Sequence, residues 1–310
     1  MRRNESIHFR YVGRDSVKCS ALLLASILLL TLSGCSLTSS GSSSNSGGNS
    51  TGNAGNFTTT VFVGDSLTAG FQNGSLLDTQ QPHGYANQIA QQAKFTLTLP
   101  LIAPPGAPAV LKLTSLGPPP VIQQSSGVTT GRDDVTVQAT DLAVPGALIH
   151  DVVNTAPVAV PTSAQEIMTE LILGFPGLAL GQDNTQLQWA IALKPTTVFV
   201  WAGNNDALIA DDAGIPSAMT PLASFTTDFT QLITQLSQQT KAHLVIANIP
   251  NVTALPYLTP AATVIAEGVQ QSGLSAAIVS QMLGIQAGDL VNATGLAEVT
   301  PILTKQQAGP

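Results

Sequence analysis

The sequence predicts an α/β domain in which helices cover a parallel sheet. Three short runs at 58–63, 197–201 and 244–249 are rich in β-branched and apolar residues, as buried strands are. Stretches with helical periodicity separate these runs, and this order is typical of crossover connections between parallel strands. Only 9% of the 310 residues are charged and 44% are hydrophobic, which argues against a disordered chain.

The N-terminus has the pattern of an export signal. Five basic residues precede an apolar run at 21–32, which is shorter than the roughly 20 residues that a membrane-spanning helix needs. Leu32-Ser33-Gly34-Cys35 resembles the lipobox of bacterial lipoproteins, which implies cleavage before Cys35 and lipidation of its thiol. Ser36 then implies sorting to the outer membrane where the cell has one. The alternative is an ordinary secretory signal with a chance cysteine.

These features divide the chain into a signal peptide at 1–34, a lipid-anchor Cys with a flexible tether at 35–56, and a folded domain at 57–310. The tether is almost wholly Ser, Gly, Asn and Thr, a composition that behaves as flexible coil. Both cysteines, Cys19 and Cys35, precede the domain, so the domain has no disulfide, cysteine metal site or cysteine nucleophile. The net charge of -7 disfavours nucleic acid as a partner.

In the first half of the domain, the strand at 58–63 is followed by a helix at 85–93, where apolar residues recur every four positions. Residues 94–102 alternate in polarity and suggest a short strand. The Pro- and Gly-rich stretch 104–134 predicts a long loop, either a functional rim or a flexible insertion. Residues 135–139 alternate again and predict a second strand.

In the second half, an apolar patch at 164–180 predicts a helix broken at Pro176 and Gly177. The strand at 197–201 precedes an amphipathic helix for which Thr220 is the expected N-cap and Pro221 the first helical residue. After the strand at 244–249, residues 259–310 predict helices and a Gly-rich apolar segment.

Three polar motifs follow directly after predicted strands: Gly64-Asp65-Ser66-Leu67, Val144-Pro145-Gly146 and Gly203-Asn204-Asn205-Asp206. Ligands of an open parallel sheet bind beyond the carboxyl ends of its strands, so the fold brings these motifs to one rim. Ser66 at a strand-to-helix turn has the exposure that a nucleophile needs. The backbone N–H groups of Ser66 and Gly146 and the amide of Asn205 form a plausible oxyanion hole. The alternative is that Gly-Asp-Ser is only a turn.

The first and third motifs resemble the signature blocks of the GDSL or SGNH hydrolase superfamily, Gly-Asp-Ser-Leu and Gly-x-Asn-Asp. Residues 141–147 are similar to its second block, although the family often has Asn where Asp141 stands. The resemblance implies a three-layer, flavodoxin-like α/β fold and the hydrolysis of esters. It also implies that Ser66 is the nucleophile, that Ser66, Gly146 and Asn205 stabilise the oxyanion, and that Asp65 and Asp206 orient the turns.

The general base does not follow from the sequence. The last block of the family is Asp-x-x-His, and none of the four histidines, at positions 8, 83, 150 and 243, has Asp three positions before it. His83 and His150 lie near the expected site, and each is either a substitute base or a surface histidine. The resemblance implies a further strand and helix that carry the histidine of the last block, and residues 259–310 show no such final strand. We therefore expect the sequence to lack the C-terminal part of the domain.

The leading hypothesis is a serine-dependent ester hydrolase of the esterase or lipase type, held at the bacterial cell envelope by its lipid anchor. Its substrate is a small-molecule or lipid ester, and neither a cofactor nor a metal is expected. The alternative is a non-catalytic or degenerate hydrolase-like lipoprotein that binds ligands at the envelope. The apolar stretch 167–180 is either a pocket for an acyl chain or ordinary helix packing.

Overall fold

A computed structural model describes residues 55–117, 120–174, 184–254 and 258–307. Its strands are β1 (Thr60–Gly64), β2 (Leu111–Ser115), β3 (Val121–Gln124), β4 (Thr197–Trp201), β5 (His243–Ile246), β6 (Thr259–Pro260) and β7 (Leu290–Val291). Its helices are α1 (Tyr85–Ala93), α2 (Ile149–Asn154), α3 (Ala164–Leu173), α4 (Gln186–Ala192), α5 (Asn205–Ala213), α6 (Leu222–Gln239), α7 (Ala261–Ser272), α8 (Ala276–Leu283) and α9 (Ala293–Gln307). The predicted signal peptide, Cys35 and the tether up to residue 54 lie outside the described residues, as do Pro176 and Gly177.

The main sheet is parallel and has the strand order β1-β4-β5. This arrangement confirms the three predicted strands: β4 has the expected bounds, and the bounds of β1 and β5 differ from the expected ones by one to three residues. Residues 140–144 run parallel to the free side of β1. The N–H of Phe62 donates to the Thr140 carbonyl at 2.9 Å, and the N–H of Leu142 donates to the Phe62 carbonyl at 2.9 Å. The strand β1 is therefore hydrogen-bonded along both of its edges.

The two faces of the sheet pack differently because neighbouring strand residues point to opposite sides. On one face the valines of β1 and β4 pack into the main core with Leu187 of α4 and with Leu232 and Leu236 of α6. On the other face Phe62 and Phe199 stack with ring centroids 4.6 Å apart. Tyr85 of α1 meets Phe62 edge-on at a centroid distance of 6.1 Å. Helices on both faces give the three-layer α/β architecture.

The predicted strand at 135–139 is wrong. Polar side chains form hydrogen bonds with the backbone of this segment. Arg132 donates through Nη2 to the Val137 carbonyl at 2.6 Å, and the N–H of Thr136 donates to Asp134 Oδ1 at 2.8 Å. Val135 is half-exposed, so the alternating pattern does not mark a buried face here. The pairing with β1 begins one residue later, at Thr140.

Two more expectations before residue 135 differ from the structure. Residues 94–102 form no strand: Lys94 ends α1 in the left-handed conformation with φ 59°, and only Ile102 forms an isolated bridge, with Arg132. The long loop 104–134 contains the antiparallel hairpin β2–β3, in which Leu113 pairs with Ile122. Every residue of its two strands is exposed. The hairpin therefore has no alternation of buried and exposed positions from which it could be predicted.

The helix α6 begins one residue later than expected. Pro221, not Thr220, is its N-cap, and Leu222 is its first residue. The N–H of Thr220 donates to the Asp206 carbonyl at 2.9 Å, which holds Thr220 in the connection from α5. The predicted N-cap at Thr220 is therefore wrong, although the amphipathic helix itself is confirmed.

The described part of the C-terminal region is helical, as the sequence predicts. The helices α7 to α9 and the short antiparallel pair β6–β7 enclose an apolar cluster that includes Ala261, Val264 and Val291. This cluster is separate from the main core. Asn292 links the region to α5. Its Nδ2 donates to the Asp211 and Asp212 carbonyls, near the end of that helix, at 3.3 and 3.2 Å.

Candidate active site

Three loops meet at the carboxyl edge of the sheet, where ligands of an open parallel sheet bind. The first contains Ser66 and follows β1, the second contains Gly146 and follows the paired segment 140–144, and the third opens α5 with Asn205. The parallel alignment of β1 with both neighbours brings these loops together although they are far apart in sequence.

Ser66 lies in a tight turn that Asp65 organises. The Asp65 carbonyl accepts hydrogen bonds from the N–H groups of Thr68 and Ala69 at 3.1 and 3.0 Å. Its side-chain Oδ1 accepts from the N–H of Leu67 at 3.0 Å. Ser66 is half-buried, and neither its hydroxyl nor its N–H is hydrogen-bonded to any described residue. Both groups are thus available to a ligand at the rim.

Gly64 precedes this turn because no side chain fits there. A Cβ at this position would lie 2.4 Å from both the Thr68 hydroxyl oxygen and the Trp201 carbonyl oxygen. The backbone of Gly64 is held from the other side by Gln186 of α4, which is almost fully buried. Gln186 accepts from the N–H of Gly64 through Oε1 and donates to its carbonyl through Nε2, both at 3.0 Å.

Gly146 has φ 81°, a left-handed conformation that glycine adopts without steric cost. It is exposed, and its N–H has no acceptor among the described residues. A Cβ there would lie 2.6 Å from Oε1 of Gln165, whose side chain lies against the turn. The glycine therefore keeps the turn closed while its N–H stays free.

Asn205 connects the third loop to the second. Its Nδ2 donates to the Ala147 carbonyl at 2.9 Å, next to Gly146. A side-chain amide has two N–H bonds, so this contact uses one and leaves the other for a ligand.

Two buried aspartates join all three loops. Asp65 Oδ2 accepts from Nδ2 of Asn204 at 2.7 Å, which ties the first loop to the third. Asp206 Oδ2 accepts from the N–H of Ile149 at 2.8 Å, which ties the third loop to the start of α2 after Gly146. These contacts fit the orienting role expected for Asp65 and Asp206, and the catalytic roles of the site residues stay predictions.

Burial also changes the acidity of the carboxyl groups near the site. Desolvation raises the pKa of Asp65, although its bonds from Asn204 and Leu67 act in the opposite direction. Burial likewise raises the pKa of Asp206, and it raises the pKa of Asp141 to about 8. No basic side chain contributes to any of these three shifts. At these three carboxyl groups, hydrogen bonds rather than cations therefore counteract the cost of burying the charged form.

None of the described histidines is hydrogen-bonded to Ser66. His83 is exposed at the end of a short 3-10 turn, and His243 is the exposed first residue of β5, at the opposite edge of the sheet. His150 on α2 is exposed, with its Nδ1 3.1 Å from Asp228 Oδ2 of α6. Neither substitute base that the sequence suggested, His83 or His150, is hydrogen-bonded to the Ser66 hydroxyl.

Sequence reasoning missed two residues that hold the site together, Asn204 and Gln186. Asn204 stands in the Gly-Asn-Asn-Asp motif, and a doubled Asn at a strand end is a signal for a second amide contact. Gln186 has no comparable signal, because it is one of two glutamines in a helix whose N-cap is Thr185.

The apolar stretch 167–180 is described only as far as residue 174. In that part Met168, Ile172 and Leu173 belong to the main core, and Leu171 packs against it. The described portion therefore consists of helix packing. Residues 175–180 lie outside the described residues.

Within the described ranges, no helix has the length and apolar character needed to cross a bilayer. The same residues contain no group of three or more His, Cys, Asp or Glu side chains that fits a metal ion.

Comparison with known families identifies the hydrolase signature. A family model described as GDSL-like Lipase/Acylhydrolase matches residues 60–284, a span that contains all three loops. No curated protein and no solved structure gives a significant match. Because the family match covers most of the chain and the fold places its motifs at one rim, the chain belongs to the GDSL-like lipase/acylhydrolase family.

Proposed function

We propose that this protein hydrolyses carboxylic esters with Ser66 as its nucleophile. The observation that carries the proposal is the convergence of a free serine hydroxyl and two free backbone N–H groups, those of Ser66 and Gly146, at the rim. A tetrahedral intermediate of acyl transfer needs donors of this kind for its oxyanion. The family match to lipases and acylhydrolases supports the same chemistry.

In the proposed mechanism the Ser66 oxygen attacks the ester carbonyl carbon and gives its proton to a general base. The N–H groups of Ser66 and Gly146 and the second N–H of Asn205 stabilise the negative oxygen that forms. Collapse of the intermediate releases the alcohol, which takes up a proton, and leaves an acyl group on Ser66. Water then hydrolyses this acyl-enzyme, and the acid leaves. No cofactor takes part in these steps.

The test is the hydrolysis of p-nitrophenyl butyrate by the wild type, Ser66→Ala and Ser224→Ala. Ser224 is an exposed serine on α6, outside the three loops, and serves as the matched control. We expect Ser66→Ala to lower kcat/KM at least a hundredfold and Ser224→Ala to leave it unchanged. A loss of less than tenfold in Ser66→Ala would contradict the assignment of the nucleophile.

A second candidate function is the binding of ligands at the same rim without turnover. One observation favours it: no described side chain is hydrogen-bonded to the Ser66 hydroxyl, so no base is in place there. This candidate predicts that the wild type hydrolyses p-nitrophenyl butyrate no faster than Ser66→Ala does. A wild-type rate clearly above that of Ser66→Ala excludes it.

We also propose that the protein acts at the bacterial cell envelope, anchored through lipid on Cys35. The lipobox-like Leu32-Ser33-Gly34-Cys35 and the Ser/Gly-rich tether support this location. Metabolic labelling with radioactive palmitate in a bacterial host tests it, because Cys35→Ser should abolish the label. Cys19→Ser is the matched control and should keep it. Equal labelling of both variants would contradict the anchor.

A further inference from the structure

Asp141 is a fully buried carboxyl group in the segment that leads to the oxyanion turn. It lies opposite Phe62 in a parallel bridge to β1, five positions before Gly146. Its side chain and backbone together are 1% exposed, and the residues that follow it, Leu142 and Ala143, are equally buried. Any change in the state of this carboxyl group therefore acts on a tightly packed segment.

The two carboxyl oxygens of Asp141 differ in their surroundings. Oδ1 accepts a hydrogen bond from the N–H of Ala143 at 3.2 Å and closes a turn two residues on. Oδ2 is buried and has no hydrogen-bond partner. A negative charge spread over both oxygens would thus have one backbone donor and no exposure to solvent, which is costly in the protein interior.

The charged and titratable groups around Asp141 do not compensate such a charge. From α1, Tyr85 is the titratable neighbour: burial raises the pKa of its phenol, and the charges of Asp141 and Asp65 raise it further. No lysine, arginine or histidine contributes to the pKa of Asp141, which burial raises to about 8. At neutral pH the neutral acid is accordingly the favoured form.

We propose that Asp141 is a positioning residue for the oxyanion turn: as a neutral carboxylic acid it closes the turn to Ala143 and fixes Gly146 relative to Ser66. Ionisation places an unpaired charge inside the layer between β1 and α1. The segment 140–144 then shifts or admits water, and the N–H of Gly146 leaves its productive place. This inference rests on the proposed role of Gly146 in ester hydrolysis.

The decisive variant is Asp141→Asn, which keeps the shape and the acceptor for the Ala143 N–H but cannot ionise. We expect this variant to hydrolyse p-nitrophenyl butyrate at pH 7 within about threefold of the wild type. One pH unit above its pKa, only about one tenth of a carboxyl group remains protonated. From pH 7 to pH 9 kcat of the wild type should therefore fall about tenfold relative to that of Asp141→Asn.

The control is Asp133→Asn, the same change at an exposed aspartate eight positions upstream. It should keep the wild-type pH profile. Asp141→Ala, which removes the acceptor as well as the charge, should lose activity at every pH. A decline in Asp141→Asn that matches the wild-type decline would overturn the proposal.

A second readout separates the failure of this inference from that of the proposed function. In nuclear magnetic resonance spectra of the full chain, the amide signal of Gly146 should shift with a midpoint near pH 8. That shift should be absent in Asp141→Asn and present in Asp133→Asn. If no variant hydrolyses the ester, this titration still decides whether Asp141 controls the turn. An amide of Gly146 that does not titrate in the wild type overturns the inference.

Discussion

The amide of Asn204 donates a 2.7 Å hydrogen bond to Oδ2 of Asp65, although 139 positions separate the two residues. The contact is buried and joins the turn after β1 to the loop after β4. Asp65 Oδ1 is already used by the N–H of Leu67, so Asn204 is the side-chain donor that satisfies the remaining oxygen.

Asn204→Ala should destabilise the protein by about 1–3 kcal/mol, because it leaves a buried carboxyl oxygen without its donor. The substitution should also raise the pKa of Asp65 further, since the bond from Asn204 lowers it. Urea unfolding at pH 7 measures the loss. Asn154→Ala, at an exposed position on α2, is the control and should change stability by less than about 0.5 kcal/mol. Equal losses in the two variants would contradict the importance of the Asn204–Asp65 contact.

Gln186→Leu should destabilise the fold by roughly 2 kcal/mol, because the N–H of Gly64 loses its acceptor inside the core. The Gly64 carbonyl keeps a second donor, the N–H of Val144 at 3.1 Å, which limits the loss. Thermal unfolding followed by circular dichroism gives the change in Tm. Gln239→Leu, at the exposed end of α6, should leave the Tm almost unchanged. A Tm of Gln186→Leu equal to that of the wild type would show that water or a rearranged side chain replaces the amide.

Gly146→Ala and Gly273→Ala form a matched pair. Both glycines have positive φ, 81° and 71°, so alanine costs about 1–2 kcal/mol at either position. A Cβ at Gly273 meets nothing within 4 Å, whereas at Gly146 it lies 2.6 Å from Gln165 Oε1. We expect comparable losses of stability but at least a tenfold loss of kcat only in Gly146→Ala, since its turn must shift. Equal esterase activities would place Gly146 outside the oxyanion site.

The contribution of Asp141 to the stability of the protein should fall as the pH rises from about 4 to about 8. The pKa of Asp141 is raised to about 8 in the folded state, against an ordinary value near 3.9 in the unfolded chain. Between these values the folded state holds a proton that the unfolded state lacks, so raising the pH favours unfolding. Above about pH 8 this contribution is constant. Urea unfolding of the wild type and Asp141→Asn measures it, and an identical slope in both would exclude Asp141 as its source.

His150→Ala should change little. The contact between its Nδ1 and Asp228 Oδ2 is 3.1 Å long, but the histidine side chain is 60% exposed. Exposed ion pairs contribute at most about 1 kcal/mol, so the unfolding free energy should change by less than that. Turnover of p-nitrophenyl butyrate should fall less than tenfold, as in the control His243→Ala. A hundredfold loss in His150→Ala would instead identify His150 as the general base.

Local patterns predicted the parts of the fold that are buried. The strand 197–201 and the helix 85–93 have the expected bounds. The strand is largely buried, as predicted. The helix buries Ala86 and Ala90, each one position after an apolar residue of the predicted four-residue spacing. The hairpin β2–β3 was not predicted, since its exposed residues leave no trace of burial in the pattern. The residue type of Thr220 predicts an N-cap, whereas its N–H donates to the Asp206 carbonyl, a contact that only the tertiary structure creates.

The same distinction applies to the site. Ser66, Gly146 and Asn205 could be found because each stands in a motif that follows a strand. Gln186 could not, since its role depends on where α4 passes β1 in space. The sequence shows only that Asp141 stands where the family often has Asn. That its Oδ2 is buried without a hydrogen-bond partner depends on the tertiary structure.

The hydrogen bonds from Asn204 to Asp65 and from Ile149 to Asp206 also affect how this protein can be redesigned. A replacement loop that lacks Asn204 or Asp206 would leave the Asp65 carboxyl group or the Ile149 N–H without its counterpart. A chimera with altered substrate preference therefore has to receive all three loops from the same donor. Changes confined to the exposed β2–β3 hairpin carry no such constraint, which makes the hairpin the safer place to begin.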